Sequence, residues 1–357
     1  MELKDIVYNI TPINDDVLEK AKEKTSRLIM PYRALGYVND IAEKLCAIYS
    51  TLEPKIENKG VFVMAADHGV AEENVSAYPQ EVTCEMIKAF IEGVATINAL
   101  ARLNNCFTIV ADVGSLCDWK NISNLQKSTF IVNKVKNGTN NFTKQYAMTR
   151  KEAIQSIMIG FDIANKYIHS EKLNLIATGD MGISNTTAAS AIGACITKNE
   201  VELMTGQGTL ITDEMLKNKV LIIKKAINLH KPDPDDAIDV LSKIGGFEIG
   251  AIAGVILAAC YNKIPVVIDG LISTSAALLA YKLNPVTKQY MFAGHLSKEK
   301  GHNLMLSYLD LKPILQLDMR LGEGSGAVLS IPIIEAAAKI ITEVATFEQA
   351  QVSKSNL

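Results

Sequence analysis

The stretch Val61-Phe62-Val63-Met64-Ala65-Ala66-Asp67-His68-Gly69 decides the fold. Six apolar residues run without alternation and stop abruptly at an acid, a histidine and a glycine. An apolar run with no period of two reads as a strand buried on both faces, and such strands belong to parallel sheets covered by helices. The same grammar recurs along the chain. Phe107-Thr108-Ile109-Val110-Ala111 ends in Asp112-Val113-Gly114, and residues 173–178 end in Gly179-Asp180-Met181-Gly182. Residues 264–268 end in Asp269-Gly270, and Tyr290-Met291-Phe292 ends in Ala293-Gly294-His295. Helical periodicity fills the intervals at 81–103, 150–167, 186–197, 213–229, 235–241, 247–261, 273–281 and 327–344. The first 55 residues read as helical, with Asn14-Asp15-Asp16 offering cap chemistry before 17–30 and a second helix over 38–52. The pattern predicts an α/β fold with a mainly parallel sheet flanked by helices.

Two segments fall outside that alternation. Residues 117–145 read as an excursion from the sheet with a short antiparallel strand, because Phe130-Ile131-Val132-Asn133-Lys134-Val135 leads into Asn137-Gly138, a hairpin-type signal. The tail after Phe347 is polar and is expected to fray.

Composition narrows the function. The 357 residues are 48% hydrophobic, with 36 basic against 39 acidic side chains and a net charge of −3. That balance excludes a basic nucleic-acid footprint and an anionic-membrane partner. The six cysteines are scattered, with no CxxC pair, and read as reduced small hydrophobes in a cytoplasmic protein. The N-terminus shows no signal-peptide pattern, and no segment is expected to span a membrane.

In open α/β sheets ligands bind at the carboxyl ends of the strands, so the glycine- and acid-bearing tips share one rim. Gly179–Thr187 follows a strand and opens a helix. Its free N–H groups, with Ser184, Asn185, Thr186 and Thr187, suit an anion, against the plainer alternative of an ordinary tight turn with a helix cap. Thr205-Gly206-Gln207-Gly208-Thr209 is a second glycine-rich turn, ahead of a helix bearing Lys219. That lysine reads either as a phosphate partner or as part of a solvated face. Glu323, set between Gly322 and Gly324, is either a partly desolvated base or a residue complementing the next helix dipole. His68 forms no metal-spacing arrangement with the other histidines and is expected to make a structural hydrogen bond.

At Asp67-His68-Gly69-Val70 and Val75-Ser76-Ala77-Tyr78-Pro79-Gln80-Glu81-Val82-Thr83 the chain begins to resemble a known family. Gly179–Thr187, Gly245-Gly246-Phe247-Glu248-Ile249, Asp269-Gly270-Leu271-Ile272-Ser273-Thr274 and Asp318-Met319-Arg320-Leu321-Gly322-Glu323-Gly324 continue the match in order. The sequence resembles the nicotinate-nucleotide–dimethylbenzimidazole phosphoribosyltransferase family. The resemblance implies a pentosyl transfer from nicotinate mononucleotide to 5,6-dimethylbenzimidazole, giving α-ribazole 5′-phosphate and nicotinate in cobamide assembly. It implies Glu323 as base, with position 180 and Lys219 in the active site. Here position 180 is Asp180, one methylene shorter than the family's usual Glu. It further implies a homodimer and a Rossmann-like large domain (56–326) with a small helical domain from both chain ends (1–55 and about 327–357).

The chemistry of such a transfer fits the residues. Cleaving the bond from C1′ to a pyridinium neutralises the leaving ring, so the step needs no general acid, and with no pyrophosphate to release it needs no metal or cofactor. A base pocket with flat apolar walls is expected from Ser76, Tyr78, Pro79, Gln80, Met181, Leu321 and Gly322, and a phosphate site from Gly182, Ser184, Asn185, Thr186, Thr187, Gly206 and Gly208. A different azole, purine or phenol acceptor, and a nucleotide-binding homologue without turnover, are the competing expectations.

Overall fold

A computed structural model describes residues 1–120, 128–208 and 211–353. The chain opens with α1 (Leu3–Asn9), α2 (Asp15–Arg27) and α3 (Tyr37–Tyr49), then enters the sheet with β1 (Lys59–Ala66). Helices α4 (Val82–Glu92) and α5 (Thr96–Leu103) lead to β2 (Cys106–Gly114) and β3 (Thr129–Val132). After α6 (Arg150–Ser170) come β4 (Leu175–Met181), α7 (Asn185–Thr197), α8 (Val201–Met204), α9 (Asp213–His230), α10 (Ala237–Ile244) and α11 (Phe247–Tyr261). The last third carries β5 (Val266–Ile268), α12 (Leu271–Leu283), β6 (Met291–His295), α13 (Lys300–Leu309), β7 (Pro313–Leu315), α14 (Ser325–Glu343) and α15 (Phe347–Ala350).

Among the described residues seven strands form one sheet, all parallel, in the order β3-β2-β1-β4-β5-β6-β7. The order reverses between β1 and β4, where two crossovers leave in opposite directions and open a crevice at the carboxyl ends. All eight residues of β1 are buried, as a strand covered on both faces must be. Helix α11 packs on β1, β2, β4 and β5, while α14 packs on β4, β5, β6 and β7. Helix α6 lies on α11 with nothing but hydrogen between the backbones. A Cβ on Gly160 would stand 1.8 Å from the Ala251 carbonyl oxygen, and one on Gly254 would stand 1.9 Å from that of Ile157.

The structure departs from the expectations at five points. The 129–132 strand pairs in parallel with β2, not antiparallel, and the chain keeps that direction past the strand, with Asn133 N–H and Val135 N–H donating to the Asp112 and Val113 carbonyls before the Asn137-Gly138 turn. Residues 121–127 of that excursion lie outside the described residues, as does Thr209. The 81–103 helix is two, broken where Gly93 takes φ +74° and caps α4. After Phe347 the chain turns once more, with Thr346 accepting the Gln349 N–H, where fraying was expected. Cys84 and Cys117, read as reduced, form a disulfide with Cα atoms 5.6 Å apart, since α4 and the segment after β2 meet at the rim. Finally, α14 is long and apolar enough to cross a membrane, which no segment was expected to be, but more than half of it is buried in the molecule.

Candidate active site

A cavity of about 620 Å³ opens at the carboxyl ends of β4, β5 and β6. Val82, Met86, Met181, Ile183, Leu271, Ile272 and Leu321 give it apolar walls, with Tyr78 at its mouth. Polar groups enter from few positions: Asp180, Asn185, Thr186, His295, Ser297, Glu299, Arg320 and Glu323. Flat apolar walls with sparse directed polar groups suit a small aromatic ligand bearing one charged end.

Glycines let these elements close on one another. A Cβ on Gly182 would stand 2.4 Å from the Ala66 carbonyl oxygen, so only glycine lets β4's exit pass the end of β1. A Cβ on Gly179 would stand 2.5 Å from the Glu323 carbonyl oxygen, so the 322–324 loop rests directly on β4. That loop is unusual in its backbone: Gly322, Glu323 and Gly324 all take positive φ, at +86°, +63° and +91°. Glu323 is the one of the three that has a Cβ to strain there.

The Glu323 side chain is 6% exposed, and its Oε2 accepts the Ile97 N–H at 3.2 Å in the first turn of α5. It does not cap α14. Asp269 does so, its Oδ2 accepting from Gly324 N at 3.1 Å and its Oδ1 from Gly326 N and Ala327 N at 2.8 and 3.0 Å. Burial raises the Glu323 pKa, against the Ile97 N–H that lowers it, and the Asp269 charge raises it further. A carboxyl so placed binds a proton more readily than one in water.

Asp180 is the penultimate residue of β4 and is 5% exposed. Its Oδ2 accepts from Asn185 Nδ2 at 2.9 Å, and its Oδ1 has no partner. Burial raises its pKa well above the ordinary carboxylate range, and the charges of Asp269 and Glu248 add to that. Beneath it, His68 Nε2 lies 2.6 Å from Glu248 Oε1, both fully buried, which is the structural hydrogen bond expected of His68. Gly246 leaves room for this pair, since a Cβ there would stand 2.4 Å from His68 Cε1. Of the carboxyl groups Asp180, Glu248, Asp269 and Glu323 gathered here, only Asp180 and Glu323 line the cavity, and burial makes both hold a proton more readily than a carboxyl in water.

Lys219 is not on a solvated face. It is 1% exposed and donates to Thr186 Oγ1 at 2.7 Å beside Gly208, and burial lowers its pKa to about 8. Together with the N-terminus of α7, it makes one end of the cavity anion-accepting. His302 at the base of that wall is held neutral by burial, its pKa lowered to about 3, and it accepts the Ser297 N–H through Nδ1.

The expected residues therefore divide. Tyr78, Asp180, Met181, Gly182, Asn185, Thr186, Gly208, Leu321, Gly322 and Glu323 line the cavity. Ser76, Pro79, Gln80, Ser184, Thr187, Gly206 and Lys219 stand off it, Lys219 touching the lining through its hydrogen bond to Thr186. Ser76 accepts the Tyr78 N–H, and Gln80 donates to the His68 carbonyl, so both brace the rim. Ser184 and Thr187 are buried with unpartnered hydroxyls, and Gly206 backs onto Glu299. The walls Val82, Met86, Ile183, Leu271 and Ile272, and the polar His295, Ser297, Glu299 and Arg320, were not singled out. The Asp269-Gly270 and Gly294-His295 strand ends carried the signal for Leu271, Ile272 and His295. Nothing local marked Glu299.

A phosphoribosyltransferase family model matches residues 10–352. The chain is 44% identical over 348 residues to the nicotinate-nucleotide–dimethylbenzimidazole phosphoribosyltransferase of Chloroflexus aurantiacus, covering 98% of this chain and 97% of that protein. It is 45% identical over 352 residues to the protein of the same name from Geotalea uraniireducens, covering 99% and 98%. Among solved structures, CobT from Thermus thermophilus superimposes with a TM-score of 0.90 at 40% identity, covering 95% of this chain and all of that one.

Proposed function

The chain belongs to the nicotinate-nucleotide–dimethylbenzimidazole phosphoribosyltransferase family, and from that premise we propose how its cavity performs the transfer. Phosphoribose passes from nicotinate mononucleotide to 5,6-dimethylbenzimidazole, giving α-ribazole 5′-phosphate and nicotinate. One benzimidazole nitrogen attacks C1′ while the bond to the pyridinium nitrogen breaks and its electron pair stays with nicotinate. The proton on the other benzimidazole nitrogen goes to Glu323. Attack from the face opposite the leaving ring inverts C1′ and turns the β-nucleotide into an α-linked product.

The observation that carries this reading is one apolar-walled cavity into which Glu323 and Asp180 bring buried carboxyl groups, with the α7 N-terminus, Gly208 and the Lys219-bound Thr186 bringing polar groups beside them. Glu323, proton-hungry through burial, is suited to take the azole proton, a role worth roughly 10²–10⁴-fold. Asp180, when ionised, stabilises the positive charge that builds at C1′. Thr186, Gly208 and Lys219 hold the phosphate, and Met181, Leu321 and Tyr78 sandwich the rings. The proof is direct: purified protein given nicotinate mononucleotide and dimethylbenzimidazole should release nicotinate in step with α-ribazole 5′-phosphate, and no release with any azole or phenol acceptor would reject it.

Asp180 supports a second reading of the same site. One methylene less than the family's usual Glu shortens the side chain at the cavity wall, although a Cβ added at Gly322 would still meet Asp180 Oδ2 at 3.3 Å. Bulkier acceptors therefore compete, and acceptors mixed in one tube and read by mass spectrometry rank them. We further propose a homodimer in the cytoplasm. The packing of α2 on α3 and α3 on α14, closed by the Leu28–Thr346 bridge, supports reading the two chain ends as one small helical unit.

A further inference from the structure

We propose that Asn98 is a positioning residue for the transfer: it locks the first turn of α5, so that the Ile97 N–H holds one oxygen of Glu323 and leaves the other to the acceptor's proton. This rests on Glu323 as the base of the reaction proposed above. The residue ahead of α5 is Ala95, whose methyl group cannot accept the N–H groups that a helix start leaves open. The Ile97 N–H is one of them, and Glu323 Oε2 takes it at 3.2 Å, with both residues buried. The base thus supplies a cap that the helix's own sequence lacks. Among the described residues no hydrogen bond occupies Glu323 Oε1, on a side chain that lines the cavity.

Asn98 decides where that N–H points. It is 3% exposed and uses both ends of its amide. Its Oδ1 accepts the Ala95 N–H at 3.2 Å, which closes the turn around Thr96 and Ile97. Its Nδ2 donates to the Phe90 carbonyl at 3.1 Å and to Ser128 Oγ at 3.0 Å. Ser128 Oγ in turn donates to the same Phe90 carbonyl at 2.8 Å. One side chain therefore ties α5 to the last turns of α4 and to the residue before β3, a task that needs an acceptor and two donors on a short stem. Arg102 adds a second tie from α5, to the Gly93 carbonyl at 2.8 Å. Without the Asn98 clamp the first turn of α5 is free to move off Glu323, and a base misplaced by about an ångström loses rate steeply.

The test is Asn98→Ala, read by steady-state kinetics, by coupling to Glu323→Gln and by a crystal structure. Its kcat should fall about tenfold or more, while KM for nicotinate mononucleotide stays within about twofold. The Ile97 N–H favours the ionised form of Glu323, so its loss should move the acid limb of kcat/KM to higher pH. Asp180 and Arg320 line the cavity with Glu323, Asp269 stands behind its loop, and the substitution leaves all three in place. In a Glu323→Gln background Asn98→Ala should cost little more, because the base it positions is gone. An equal loss in both backgrounds, or an unmoved acid limb, marks a purely structural role and overturns the proposal. If Asn98→Ala does not fold, Ser128→Ala removes one leg of the same clamp and should move the limb the same way by less; no movement overturns the proposal. In the crystal of either variant Ile97 N should lie beyond about 3.5 Å from Glu323 Oε2, and a bond kept at its present length overturns it. Wild-type turnover tests the reaction separately, and the crystal reads the clamp whether or not turnover is found.

Discussion

Asp269 accepts the backbone N–H of Gly324, the residue that follows Glu323, at 3.1 Å. With its bonds to Gly326 and Ala327 it takes three of the four N–H groups that a helix start leaves open, and fixes the loop that carries the proposed base. Asp269→Ala should therefore cost turnover beyond its cost in stability. The expected result is a kcat at least tenfold lower at a temperature where circular dichroism still shows a folded chain. A fall in melting temperature with kcat intact would separate Asp269 from Glu323.

Glu323→Gln keeps the shape and the Ile97 hydrogen bond but removes the proton acceptor. It should lower kcat by roughly 10²–10⁴-fold while leaving the calorimetric affinity for nicotinate mononucleotide within a few-fold. Near-normal turnover would move the base elsewhere.

The pH profile of kcat/KM should have two limbs. Glu323 works only when ionised, and its pKa is raised, so activity falls on the acid side at a pH above the usual carboxylate range. Lys219, with a pKa lowered to about 8 in the free protein, loses its charge as pH rises through that value, which weakens the hold on the phosphate. Bound phosphate restores the charge, so this limb should show in kcat/KM and fade in kcat.

Gly179→Ala adds one methyl group against the Glu323 carbonyl, 2.5 Å away, with backbone on both sides and nothing flexible to yield. The base should be displaced, and kcat should drop by one to two orders of magnitude, since misplacement by about an ångström costs about that much. Steady-state kinetics beside a thermal melt checks it.

Cys84 and Cys117 are 33 residues apart, and closing a loop of that size is worth about 3–4 kcal/mol in the chain-entropy account. Cys84→Ser should lower the melting temperature under oxidising conditions and leave it unchanged in dithiothreitol. Equal melts in both would mean that the bond does not form in solution.

Much of the sheet was legible because its signal is local. The unbroken apolar runs before Asp67, Asp112, Gly179, Asp269 and Ala293 mark strands wherever they fold. The short β7, whose three residues are all half-buried, and α13 gave no comparable run. Within 81–103 the apolar period continues through Gly93, so two helices looked like one. Half of the site was legible for the same reason, at the glycine-rich ends of β4 and ahead of α14. Its other wall was legible only in part: the Asp269-Gly270 strand end pointed to Leu271 and Ile272, but β5's place beside β4 is what brings them to the cavity.

By itself the sequence determined the strands, their glycine- and acid-bearing ends and the family motifs, all of which depend on neighbours along the chain. Burial and adjacency in space were left to the tertiary structure. It decided that β1 lies between β2 and β4, opening the crevice at that reversal. It also decided that Lys219 loses its water, that Asp269 rather than Glu323 caps α14, and that Glu299 faces Gly206 across the cavity wall. A charge's chemistry depends on how much water it keeps and which charges stand beside it, and folding sets both by bringing distant segments together.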